Sequence, residues 1–265
     1  MSFEKIKNAN LIVVKVGTST LTHASGYINI RRVEQLVKCL ADLQNSGKRV
    51  VLVSSGSISC GLGKIGLRRV NLTLEQKQAA AAVGQCELMD MYNRLFADYG
   101  YTVGQLLLTK DVTDDMTRKE HAANTLRVLI EMGCIPVINE NDSVSSEGIK
   151  YGGNDILSAV VAMLCGADLV INLSDIDGFY DRDPKADPNA KLIPYVDKIG
   201  EDIENMAGGA GTERGTGGMA AKVIAAKQCT EYGIPMIIAN GANPDILYDI
   251  IEGEFKGTFF DAVEG

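Results

Sequence analysis

The sequence predicts a single three-layer α/β/α sandwich with a mostly parallel central sheet, and three observations carry that expectation. A unit of helix pattern, glycine stop and apolar strand recurs along the chain, with the stops at Gly47, Gly100, Gly133, Gly166 and Gly233. The strands in these units are nearly continuous apolar runs, as strands covered on both faces tend to be. With 265 residues, of which 46% are hydrophobic, the chain can bury a sizeable core. No evident linker divides it, so residues 1–265 read as one domain.

Taken in order, Leu11 to Val16 is a β-branched run interrupted by Lys15 and closed by Gly17, a buried strand that delivers an ammonium to its exit. The hydroxyl-rich Thr18-Ser19-Thr20 after it reads as loop. Val33, Leu36, Val37, Leu40 and Leu43 fall at helical spacing, and Gly47 suits the left-handed stop that follows a helix. Arg49 to Val53 resumes as strand. Helices are expected over 73 to 98, 117 to 132, 155 to 165 and 218 to 232, the first opening on a capping-box pattern of Thr73 and Gln76. Strands follow the later stops, at Tyr101-Thr-Val, Cys134-Ile-Pro-Val-Ile, Ala167-Asp-Leu-Val-Ile-Asn-Leu and Ile234-Pro-Met-Ile-Ile. Such alternation implies parallel strands with helices on both faces. From Asp181 to Tyr195 the rhythm breaks into Asp-Pro turns and a short Leu192-Ile193, predicting turns and a hairpin on the rim.

A net charge of −8 and a pI near 4.9 argue against a dominant nucleic-acid or anionic-membrane surface. The six cysteines are scattered without a C-x-x-C pair and read as free thiols. The N-terminus lacks a signal-peptide pattern and no apolar run reaches membrane-spanning length, so a reducing cytoplasm is expected.

Sheets of this kind bind ligands beyond the carboxyl ends of their strands, so the residues after each apolar run carry the functional information. The first strand offers Lys15-Val16-Gly17-Thr18, the second Ser54-Ser55-Gly56, a middle strand Asn139 to Asp142, and a later one Ser174-Asp175. Read alone, Pro136 to Asp155 looks like a metal cage of acids and amides. Acids and amides at a strand exit can equally hold an ammonium group or a hydroxyl, and the Asn154-Asp155 pair could cap a helix returning to the same edge. Gly61-Leu-Gly63-Lys-Ile-Gly66 matches a dinucleotide fingerprint letter for letter but does not follow a strand directly, so it reads as a flexible surface loop. Gly215 to Lys222 offers clustered backbone N–H groups and a helix start with a lysine one turn on, the chemistry that holds phosphate. Lys15 must meet an anion or a carboxylate to be buried, either a ligand or a structural salt-bridge partner. Two lysines beside glycine-rich anion sites suggest phosphoryl transfer. His23 and His121 have no triad or metal spacing and read as surface residues, which fits an acceptor already ionised, such as a carboxylate.

These segments resemble the amino acid kinase family. The matching stretches are Val14-Lys15-Val16-Gly17-Thr18-Ser19, Val53-Ser54-Ser55-Gly56, Pro136 to Asp142, Gly152 to Asp155, Ser174-Asp175 and Gly215 to Lys222, in order over nearly the whole chain. The resemblance is to members that phosphorylate the γ-carboxylate of L-glutamate with ATP and Mg2+, the first step of proline synthesis. It implies that Lys15 and Lys222 neutralise the transferring phosphoryl group, and that Gly17 and Gly56 let backbone approach it. Ser55, Asp142 and Asn154 would hold glutamate, and Asp155 would orient the substrate or the lysines. Ser174, Asp175, Thr216, Gly217, Gly218, Met219, Ala220, Ala221 and Lys222 would line the ATP site, with Mg2+ carried mainly by the ATP phosphates. A homo-oligomer, dimer or tetramer, and feedback by L-proline are also implied, without a nucleic-acid or membrane partner. Gly153 stands where relatives usually have aspartate, and Ser174 where threonine is usual. The C-terminal RNA-binding-like domain of many relatives is expected to be missing after Gly257-Thr-Phe-Phe260. Two other readings stay open: a sibling kinase for another carboxylate or phosphate acceptor, and a non-catalytic amino-acid sensor on the same fold.

Overall fold

The computed structural model describes residues 2–23, 25–67, 70–145, 153–208 and 218–262. Its first half runs α1 (Ser2–Asn8), β1 (Leu11–Val16), α2 (Thr18–Leu21), α3 (Ile30–Asn45), β2 (Arg49–Ser54), α4 (Ser57–Ile65), α5 (Leu74–Ala97), β3 (Val103–Leu108), α6 (Lys110–Asp114), α7 (Met116–Glu131) and β4 (Ile135–Glu140). The second half adds α8 (Asn154–Cys165), β5 (Leu169–Ser174), β6 (Tyr195–Val196), α9 (Glu201–Gly208), α10 (Met219–Glu231), β7 (Met236–Asn240), α11 (Ile246–Glu252) and β8 (Gly257–Phe260).

The strands form one eight-stranded sheet in the order β3-β4-β2-β1-β5-β7-β8-β6. Every adjacent pair is parallel except β7 and β8. Alternate side chains leave opposite faces of a strand, and two apolar cores result. Ile12, Val14, Leu52, Val137 and Ile171 meet α3, α5 and α11 on one face. Val13, Val51, Val53, Ile138 and Val170 meet α7, α8 and α10 on the other. The expected three layers are therefore present. From β1 the chain steps to β2 on one side, and from β4 it crosses to β5 on the other, so the crossover places β1 and β5 side by side at the centre. Ligands of open α/β sheets bind at such a reversal.

The five glycine stops all take a left-handed φ, between +64° and +93°. The capping box of α5 is formed in both directions, Thr73 Oγ1 accepting from the Gln76 N–H at 3.3 Å and Gln76 Oε1 from the Thr73 N–H at 3.0 Å. The rim segment holds turns and a Tyr180–Leu192 bridge, and then β6 pairs with β8. His23 and His121 are exposed, and all six cysteines are free.

Two expectations need correction. Thr18 to Leu21 is a short helix rather than loop, closed by the Thr22 N–H donating to the Thr18 carbonyl at 2.9 Å. Gly61 to Ile65, read as a flexible loop, is the second half of α4. Gly61 serves a helix crossing with Gly84 of α5: a Cβ on Gly61 would stand 1.8 Å from the Ala80 carbonyl oxygen, and one on Gly84 would stand 1.7 Å from that of Ser57. Spacing of letters cannot reveal that α5 lies against Gly61.

Candidate active site

Lys15 follows Leu11 and Val13 on one face of β1, so it enters the α8 and α10 layer and is only 5% exposed. Burial of an ammonium there requires a counter-charge. Asp155, in the first turn of α8, supplies it: Lys15 Nζ lies 2.5 Å from Asp155 Oδ1, and Lys222 Nζ, from the first turns of α10, lies 3.1 Å from Oδ2. Asn172 of β5 donates its Nδ2 hydrogen to the same Oδ1 at 2.7 Å. Burial alone would raise the Asp155 carboxyl. The charges of Lys15 and Lys222, with hydrogen bonds from Lys15 and Asn172, outweigh it and hold the group below its ordinary 3.8. Burial lowers Lys15 below 10.5, opposed by Asp155 and reinforced by the like charge of Lys222. The result is a charged carboxylate clamped between two cations at the carboxyl edge of the central strands.

A second group of side chains adjoins this triad through Asn154, the residue before Asp155. Asn154 Nδ2 donates to Ser55 Oγ and to Asn139 Oδ1, each at 2.8 Å. The orientation of Asn139 is fixed in turn, because its Oδ1 also accepts the Glu140 backbone N–H at 2.9 Å and its Nδ2 donates to Gln85 Oε1 at 2.9 Å. Both amide hydrogens of Asn154 are thus committed to oxygens, leaving its Oδ1 a buried acceptor with no partner among the described residues. An unmet acceptor in such a place selects a donor such as an ammonium group. Ser57 Oγ donates to Asp142 Oδ2 at 3.3 Å, adding an acid to the same cleft. Ser55, Gly56, Ser57, Asn139, Asp142, Gly153 and Asn154 line a space of about 150 Å³.

Gly56 is the N-cap of α4 and Gly153 that of α8, so two helix starts border this cleft and favour negative charge near it. Gly153 holds φ 104° and ψ 171°, a conformation that suits glycine and that an acidic side chain at this position would strain. Gly17 brings backbone close to the lysine, since a Cβ there would stand 3.5 Å from Lys15 Nζ.

On the other side of β1, Ser174 ends β5 and donates to Asp175 Oδ1 at 3.3 Å. Gly218 is the N-cap of α10, whose first turn carries Met219, Ala220, Ala221 and Lys222. Thr216 and Gly217, like Gly152, lie outside the described residues. The structure therefore joins Lys15, Asp155 and Lys222 directly and sets Ser55, Asp142 and Asn154 around one cleft. Asn139, Ser57, Gln85 and Asn172 were not among the expected site residues. Asn139 lay within the acid-and-amide stretch, whereas Asn172 was one letter in an apolar run.

A covered parallel sheet with two lysines joined through a carboxylate at its carboxyl edge places the chain among open α/β proteins with a charged site at the strand reversal. Residues 10–240 match the amino acid kinase family. Over 264 residues the chain is 50% identical to the glutamate 5-kinase of Clostridium perfringens (strain 13 / Type A), covering 98% of both chains. It is 51% identical to that of Clostridium tetani (strain Massachusetts / E88), again over 98% of each. The glutamate 5-kinase of Listeria innocua is 49% identical, over 97% of this chain and 95% of its own. Among solved structures, an isopentenyl phosphate kinase superimposes with a TM-score of 0.65 at 17% identity, over 94% of this chain and 99% of its own. The UMP kinase from Ureaplasma parvum gives 0.64 at 18% identity, over 95% and 98%. The chain belongs to the amino acid kinase family, among its glutamate 5-kinases.

Proposed function

We infer that the chain transfers the γ-phosphoryl group of ATP to the γ-carboxylate of L-glutamate, forming L-glutamyl 5-phosphate, the first step of proline biosynthesis. The observation that carries this reading is Asp155, held by Lys15 and Lys222 next to an Asn154 whose Oδ1 can accept from a donor, having no partner among the described residues.

The acceptor carboxylate is ionised near neutral pH, so no residue has to remove a proton from it. One of its oxygens attacks the γ-phosphorus as the bond to the β,γ-bridging oxygen breaks, and ADP leaves with that electron pair. Charge spreads over the transferring oxygens, and positioning with electrostatic stabilisation accounts for most of the acceleration. Lys15 and Lys222 supply that positive charge, and Asp155 keeps both ammonium groups oriented. The Asn154 oxygen and Asp142 suit the α-ammonium of the substrate, with Ser55 beside them. Gly17 and Gly56 leave room for the phosphoryl group. Ser174, Asp175 and Gly218 to Lys222, continuing through Thr216 and Gly217, are assigned to the nucleotide.

Mg2+ fits as a companion of the ATP phosphates, whose charge it neutralises when bound. Both oxygens of Asp155 are already taken by nitrogen donors, so the lysine centre itself is not a cation site. Proline suits the same cleft, since its secondary ammonium donates to an acceptor such as Asn154 Oδ1. A dimer or tetramer is supported by exposed Val128 on α7 and Met132 at its C-terminal cap, next to β4 near the sheet edge. A cytoplasmic setting fits six free cysteines. ADP release measured in parallel with glutamate, aspartate, N-acetylglutamate and UMP tests the assignment; preference for any acceptor but glutamate points to a sibling activity, and saturable glutamate binding without turnover to a sensor.

A further inference from the structure

Asn172 sits within β5, where all six residues are buried, and is itself wholly inaccessible. A buried amide is unfavourable unless its polar atoms are paired, and an aliphatic side chain would suit an apolar strand better. Its partners belong to the centre described above. Across the β1–β5 ladder Asn172 is in register with Lys15, so both side chains leave the same face of the sheet. Its Nδ2 lies 2.7 Å from Asp155 Oδ1, and its Oδ1 lies 3.5 Å from Lys15 Nζ. Asp155 therefore receives Lys15 and Asn172 on Oδ1, and Lys222 on Oδ2.

A carboxylate turns about its terminal bond with little torsional preference of its own. Held only by two flexible lysines, it could turn until both ammonium groups crowded one oxygen. A rigid strand amide on Oδ1 prevents that rotation. We propose that Asn172 is a positioning residue for phosphoryl transfer, fixing the Asp155 carboxylate so that each oxygen holds its own lysine. The proposal rests on the reading that Lys15 and Lys222 face the transferring phosphoryl group. Asn172 itself touches no reacting atom.

The test compares the native enzyme with Asn172→Leu, which keeps approximate volume but removes the donor, and with Asn172→Asp, which places a second carboxylate beside Asp155. Thermal melting, kcat, and KM for ATP and for glutamate are measured for each. Misplaced catalytic groups cost up to about a hundredfold in rate, so kcat in Asn172→Leu is expected to fall roughly tenfold or more, with both KM values within about twofold. Asn172→Asp should lose more. A kcat within twofold of native in either folded variant overturns the proposal. So does a rise in KM that accompanies the fall in kcat, which would mark a general loosening of the site, and so does failure of both variants to fold. If the native enzyme does not phosphorylate glutamate, the parent assignment falls with it; if it does and the variants match it, only the role of Asn172 is lost.

Discussion

The ammonium of Lys15 lies 2.5 Å from Oδ1 of Asp155, with both side chains almost wholly buried, although 140 residues separate them in sequence. Removing the acid leaves two cations, Lys15 and Lys222, facing one another out of water. Asp155→Asn is therefore expected to cost about 3–5 kcal/mol of stability, the usual result of breaking a buried ion pair from one side. Chemical denaturation checks it. A loss below about 1 kcal/mol would mean that the lysines readjust freely, contrary to a fixed triad.

Activity and stability should respond to alkaline pH with opposite signs. Burial holds Lys15 below its ordinary 10.5 in the folded chain. Between that lowered value and 10.5 the unfolded chain binds more protons at this site, so the Lys15 contribution to stability rises with pH. Over the same interval the ammonium needed for transfer is lost, and kcat falls. Melting temperature measured against Lys15→Met isolates the site from other titrating groups. The native chain should gain on the variant as pH rises towards 10.5 while its kcat declines.

Asn154 joins the cation centre to the acceptor cleft, with both amide hydrogens given to Ser55 and Asn139. Loss of a hydrogen bond to a charged partner is worth about 1.5–3 kcal/mol. Asn154→Ala should thus raise KM for glutamate roughly 10- to 100-fold and leave KM for ATP nearly unchanged. Steady-state kinetics with each substrate varied in turn separates the two. An equal rise in both would remove Asn154 from the acceptor site.

Gly61 and Gly84 let α4 and α5 cross at backbone distance. A methyl group at Gly61 meets a carbonyl oxygen rather than the end of a flexible side chain, so the helices must separate. Gly61→Ala is expected to destabilise the chain by about 1–3 kcal/mol or more, as overpacking does. Thermal melting reads this directly, and an unchanged midpoint would show that the crossing has slack.

The strands and main helices were legible because their signals are local. A left-handed glycine after each helix and a run of buried β-branched residues state themselves in a few letters. Lys15 was legible for a similar reason, since an ammonium in an apolar strand is costly wherever the strand lies. Its pairing with Asp155 was implied only by the family resemblance, as one of two roles for that acid, because the Lys15–Asp155 contact depends on β1, α8 and α10 meeting around one sheet. Asn172 was missed because a single amide between Ile171 and Leu173 leaves the strand pattern intact, and only the β1–β5 register shows what it touches. The glycines of α4 were misread for the opposite reason. Their letters suggested a ligand loop or a flexible one, while the purpose of Gly61 is set by a neighbouring helix.

The central claim is transfer of phosphate to the glutamate γ-carboxylate by a centre built on two lysines. Trapping with hydroxylamine tests it most directly, because an acyl phosphate gives a hydroxamate whereas simple ATP hydrolysis does not. With ATP, Mg2+ and glutamate, native protein should form γ-glutamyl hydroxamate in step with ADP, and Lys222→Ala should do so at least about a hundredfold more slowly. ADP release without hydroxamate, or native-like hydroxamate formation in folded Lys222→Ala, would contradict the account.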